Sequence, residues 1–178
     1  MSRLLIEPIT PDEPGYIALK AESLALNFTL LHRLEENWQR GENRFNAPGE
    51  KLLGAFLNGK LVGVCGINRD PFSQQPRAGR IRHLYISEKC RGLGVGKQLL
   101  AVVMADASIW FDFLNTHAPK AAYGFYHRAG FSLVADEPRI THRFFARYNA
   151  PVYLACWQHK LPSIVYKSCL IPLNHSPL

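Results

Sequence analysis

One segment limits the architecture more than any other. Between Ile81 and Lys97 the chain reads Ile81-Arg82-His83-Leu84-Tyr85-Ile86-Ser87-Glu88-Lys89-Cys90-Arg91-Gly92-Leu93-Gly94-Val95-Gly96-Lys97. Arg80 to Ile86 alternates and predicts a strand, and Lys97 to Ala107 repeats Leu99, Leu100, Val103 and Met104 at helical spacing. Between them Gly92 to Gly96 is a glycine-rich turn. Closely spaced glycines let backbone N–H groups converge without Cβ obstruction, and the helix N-terminus adds partial positive charge. A turn of this kind suits a phosphate. Arg91 and Lys97 add formal charge.

Three phosphate motifs share this outline. The Walker A loop needs Gly five residues before the Gly-Lys pair and Ser or Thr after the Lys. Those places hold Arg91 and Gln98. The dinucleotide fingerprint starting at Gly92 needs a third Gly where Lys97 stands. R-x-x-G-x-G is satisfied by Arg91, Gly94 and Gly96.

The remaining elements frame that segment. Leu4 to Ile9 reads as a strand, and a helix is expected from Asp12, with Pro14 in its first turn. Leu24, Phe28, Leu31 and Leu34 predict a second helical piece ending near Trp38. Gln39 to Gly49 and Asp70 to Arg77 read as loops. Lys51 to Leu57 and Lys60 to Ile67 are joined by Asn58-Gly59, the pair that a two-residue type I′ hairpin turn requires. Ile109 to Leu114 is read as a strand, Ala118 to Arg128 as a helix stopped by Gly130, and Phe131 to Ala135 and Pro151 to Trp157 as the last strands. The order β-α-α-β-β-β-α-β-α-β-β implies one α/β or α+β domain with helices on the faces of a sheet. No repeat or linker divides residues 1–178.

Charge narrows the partner. Twenty-one Lys and Arg against fourteen Asp and Glu leave +7, which suits nucleic acid or a small anionic ligand. Six of the basic residues, Arg77, Arg80, Arg82, Lys89, Arg91 and Lys97, surround the glycine turn. No nucleic-acid module signature accompanies them, so the anionic ligand is preferred. Cys65, Cys90, Cys156 and Cys169 form no CxxC pair, so zinc and redox signatures are absent and reduced thiols in the cytoplasm are expected. Glu7 and Pro8 follow Ile6 at once, leaving no long apolar leader. Asp106 and Asp112 interrupt the longest apolar stretch, so no membrane partner is expected.

About thirty residues after the glycine turn comes Ala121-Ala122-Tyr123-Gly124-Phe125-Tyr126-His127-Arg128-Ala129-Gly130-Phe131, or A-x-x-F-Y-x-x-x-G-F from Ala122. The two segments in this order resemble the GNAT superfamily of acetyl-CoA-dependent N-acetyltransferases. The resemblance runs from about Leu4 to Leu161, leaving 162–178 as a C-terminal tail, and is strongest from Ile81 to Phe131. It implies a mixed, mostly antiparallel central sheet of about seven strands flanked by helices. It implies acetyl-CoA as co-substrate and an amine of a small molecule or peptide as acceptor. The end of the fourth strand, Leu84, Tyr85 and Ile86, would meet the pantetheine arm. Arg91, Gly92, Leu93, Gly94, Val95, Gly96 and Lys97 would hold the pyrophosphate through backbone N–H groups. Tyr126 would protonate the departing thiolate as general acid.

The sequence departs from the family pattern at two places. Many members carry Asn seven residues before the Tyr, where Pro119 stands; the nearest Asn is Asn115. Many carry Glu on the fourth strand, where Arg82 and His83 stand. His83 is the first candidate for the base, since it lies on the cleft strand and histidine titrates near neutrality. Glu22, Glu35, Glu36, His142 or a water chain are alternatives. Phe28, Trp38 and Glu137 to Phe145 would flank the acceptor. Cys90 has no paired His, so direct attack in a ternary complex is expected rather than a covalent intermediate. A catalytically weak module that binds acyl-CoA as a sensor or partner domain is the competing reading. The tail either covers the core or contacts a second subunit, giving a homodimer.

Overall fold

The computed structural model describes residues 3–146. The expected strand Pro151 to Trp157 and the tail 162–178 lie outside the described residues. Seven strands form one sheet: β1 (Leu4–Pro8), β2 (Lys51–Leu57), β3 (Lys60–Arg69), β4 (Ala78–Ile86), β5 (Phe113–Thr116), β6 (Ser132–Leu133) and β7 (His142–Phe145). Their spatial order is β1-β2-β3-β4-β5-β7-β6. Only β4 and β5 run parallel. The helices are α1 (Tyr16–Ala25), α2 (Leu30–Arg40), α3 (Val95–Met104), α4 (Ala107–Trp110) and α5 (Tyr123–Arg128). The fold is the mostly antiparallel α+β sheet that the resemblance implied. Among the described residues, no helix is long and apolar enough to cross a membrane.

Each face of the sheet buries its own core. On one, α3 and α5 cover Leu53, Ile67, Ile81 and Leu114 with Leu99, Val103, Tyr126 and Phe131. On the other, α1 and α2 cover Val64 and Tyr85 with Tyr16, Leu19, Leu31 and Leu34. Asn58 (φ 51°) and Gly59 (φ 81°) both take positive φ, as the β2–β3 hairpin turn demands. Leu99 is fully buried. Its replacement by Ala is expected to lower unfolding stability by about 2–5 kcal/mol, read from the denaturant midpoint.

The structure corrects several element assignments. α1 begins after Gly15 (φ 94°) rather than at Asp12, because Thr10 and Glu13 first form turns through the N–H groups of Glu13 and Tyr16. The run Ile109 to Leu114 is not one strand. Phe111 N–H donates to the Ala107 carbonyl, which closes α4, and Arg77 binds the Asp112 carboxylate and the Ile109 carbonyl. β5 therefore starts only at Phe113. The seventh strand within the described residues is His142–Phe145, inside the segment expected to flank the acceptor site.

Candidate active site

An irregularity in β4 opens the sheet. Val64 and Gly66 of β3 face Tyr85 and Arg82, so His83 and Leu84 together oppose Cys65. His83 takes φ 57°, marking a β-bulge. β4 pairs with β5 only from Ala78↔Phe113 to Arg80↔Asn115. Beyond Arg80 the two strands part. Thr116 Oγ1 reaches the Ile81 carbonyl (3.5 Å) at the base of this crevice. Ser87 N–H donates to the Val62 carbonyl (2.8 Å). By antiparallel alternation, the backbone groups of Ile86 and Leu84 then face away from β3, into the crevice. The Ile86 carbonyl accepts from Arg91 Nε (3.0 Å).

The glycine turn closes the upper end. After a 3₁₀ turn at Glu88–Cys90, Gly92 (φ 77°) and Gly94 (φ 80°) take left-handed conformations. Gly94 caps α3, and no side chain caps that helix. None of the N–H groups from Gly92 to Lys97 donates a hydrogen bond to a described residue. Six successive donors, the N-terminus of α3 and exposed Arg91 and Lys97 make an electropositive cradle. The Arg91 guanidinium lies over the rings of Tyr85 (5.4 Å) and Phe28 (5.8 Å).

Glu22 of α1 ties this region together. Its carboxylate accepts from Tyr85 Oη (2.9 Å), Ser87 Oγ (2.9 Å) and Glu88 N–H (2.8 Å). Burial acts to raise its pKa, but the three hydrogen bonds and the Arg91 charge outweigh that, so it lies below the ordinary 4.5. Tyr85 is pushed up to about 12 by burial and by the same carboxylate. A depressed carboxylate stabilises the fold fully above its ordinary value, and the contribution is lost as pH falls through the folded-state value. Glu22→Gln should therefore lower the thermal midpoint at pH 7, with the deficit shrinking below pH 4. An unchanged midpoint at pH 7 would contradict the role of the clamp.

Tyr126 is 5 % exposed and sits on the α3 face, against Phe125 (5.3 Å), Phe131 (5.2 Å) and His142 (5.9 Å). Burial and the neighbouring Cys65 push its phenol up, while a hydrogen bond with Thr116 opposes them. Through Thr116 its hydroxyl meets the base of the crevice. His83 lies on the opposite face. Its Nδ1 meets the Leu30 carbonyl at 2.8 Å. A carbonyl only accepts, so Nδ1 carries the proton and Nε2 the lone pair. Nε2 is buried and has no partner among the described residues. Burial, then the Arg82 and Arg33 charges, push the ring down to about 3 against the Leu30 bond.

Other sequence candidates have different company. Glu35 pairs with Lys20, and Glu36 lies near His32 (3.6 Å) and Arg40 (3.7 Å). Asn115 is fully buried, donating to Asp70 Oδ2 (2.8 Å) and accepting from Arg143 Nε (2.8 Å). It is thus committed to a network that sequence reading missed. Asn68, Arg80, Asn115 and Arg143 stand side by side across β3, β4, β5 and β7. Asp70 and Glu137 neutralise two of the row's charges. Four separate strands supply these residues, and no local motif announces them.

Comparison with known proteins places this geometry in context. Residues 19–131 match the model of the acetyltransferase (GNAT) family. A candidate acetyltransferase from Exiguobacterium sp. 255-15 is 30 % identical, with a TM-score of 0.73 over 80 % of this chain and 93 % of that one. A GNAT-family acetyltransferase from Staphylococcus aureus Mu50 is 17 % identical, with a TM-score of 0.64 over 82 % of this chain and all of that one. A GNAT-family N-acetyltransferase (YhbS) from Escherichia coli, solved in complex with CoA, is 18 % identical, with a TM-score of 0.60 over 82 % of each chain. No curated protein matches the chain.

Proposed function

Since the chain belongs to the GNAT acetyltransferase family, we propose that it transfers an acetyl group from acetyl-CoA to an amine by direct attack. The observation that carries this reading is the run of six N–H groups from Gly92 to Lys97, at the head of α3, that engage no described residue. They suit a pyrophosphate. The half-buried backbone edge at Leu84 and Ile86, turned away from β3 and beyond the last β4–β5 pair, suits the amide groups of a pantetheine arm.

Each residue then has a defined task. A β4 N–H in the crevice donates to the thioester carbonyl and stabilises the charge that develops there. Tyr126 gives its proton to the leaving thiolate. His83 cannot store a proton at neutral pH, because its value is held near 3. With Nε2 enclosed by the protein, His83 serves the site by holding the β4 bulge against α2 through Leu30, and the amine's proton leaves through water. In this reading His83 shapes the strand beside the cleft and is not the base. The binding-only alternative predicts CoA binding without turnover.

The test is thiol release from acetyl-CoA by the full chain, offered a panel of amines. Amine-dependent release is expected. CoA binding with no release from any amine would favour the binding-only alternative, and the absence of both would remove the reading.

A further inference from the structure

β4 carries two arginines on the face covered by α1 and α2. Arg80 is fully engaged. It lies 3.4 Å from Asp70, donates to the Arg139 carbonyl and stacks over Phe72 (5.0 Å). Arg82, two residues on, is half-buried, yet its guanidinium makes no hydrogen bond or ion pair with any described residue. It opposes Gly66 on Arg80's face, just past the last β4–β5 pair. Arg82 therefore stands at the mouth of the crevice, on the side away from α3.

Its charged surroundings are mainly repulsive. The Leu30 carbonyl bond to His83 brings the start of α2 onto β4, and Arg33 follows within one turn. Burial lowers the Arg82 pKa, and the Arg80 and Arg33 charges lower it further. Asp70 acts the other way, but it already serves Arg80 and Asn115. Residues 146–178 of the sequence contain no Asp or Glu. A half-buried guanidinium among like charges is costly unless an anion meets it.

We propose that the acceptor amine also carries an oxyanion, a carboxylate or a phosphate, and that Arg82 holds it with Arg33 across the mouth. The inference rests on the acetyltransferase reading and specifies its acceptor. Arg82 would thereby select acceptors.

The test compares matched acceptors with the full chain and acetyl-CoA: L-amino acids against their amides, and phosphoethanolamine against ethanolamine. An anionic member of a pair should be favoured roughly tenfold or more in kcat/KM, as expected for a charged hydrogen-bonded contact. Preference within the first pair identifies a carboxylate, and within the second a phosphate. Arg82→Gln should erase the preference through KM, and Arg82→Lys should restore part of it. Equal use of charged and neutral members, or a preference that survives Arg82→Gln, overturns the inference. Release with neutral amines alone would do so while leaving the acetyltransferase reading intact. Absence of release with every acceptor overturns it too, and absence of CoA binding then removes the reading beneath it.

Discussion

Tyr126→Phe is expected to lower kcat for thiol release by about 10²–10⁴-fold while leaving the Kd for CoA within a factor of about two. Phenylalanine keeps the ring contacts with Phe125, Phe131 and His142, so the pocket should not collapse. Only the hydroxyl is lost. The raised pKa of the phenol does not count against the role. It keeps Tyr126 protonated at working pH, ready to donate. A thiolate in the same pocket is raised by the same desolvation, as the buried Cys65 thiol beside it shows. Donor and acceptor therefore shift together. Equal kcat in the variant would remove Tyr126 from the reaction, and a parallel loss of CoA affinity would make it a packing residue instead. Stopped-flow thiol detection with a CoA titration by calorimetry separates these outcomes.

Gly94→Val should weaken CoA binding by at least about a hundredfold, with a smaller effect on stability. Gly94 holds φ 80° at the head of α3. An L-residue there costs about 1–2 kcal/mol, and a β-branched one is a pronounced outlier. A Cβ would meet only Gln98 Nε2, at 3.9 Å, so no core contact is disturbed. The chain can relieve the strain by turning the Gly94 and Val95 N–H groups out of line. Two charge-assisted bonds at about 1.5–3 kcal/mol each correspond to a loss of a hundredfold or more. Calorimetric titration and a thermal melt of the same variant give both numbers. Unchanged affinity would mean that the turn does not bind the pyrophosphate.

What the sequence disclosed was local. Asn58-Gly59 announces its hairpin because two adjacent positive-φ residues have few other uses. The glycines before α3 announce a left-handed turn for the same reason. The features it concealed depend on distant partners. His83 looks like an ordinary strand histidine, and only the offset between β3 and β4 makes it a bulge with positive φ. The Glu22 clamp joins residues more than sixty positions apart. Asp70, Arg80, Asn115 and Arg143 converge from separate segments, so Asn115 could not be assigned from the spacing before Tyr126. His142–Phe145 is a four-residue strand whose register is set by β5, and too short to declare itself.

Backbone groups, more than side chains, are expected to receive the coenzyme. Amide chemical shifts of the full ¹⁵N-labelled chain, followed during a CoA titration, test it most directly. The largest shifts should fall on Gly92 to Lys97, with Leu84 and Ile86 next. A titration that leaves those amides unmoved, or moves only residues elsewhere, would contradict the account.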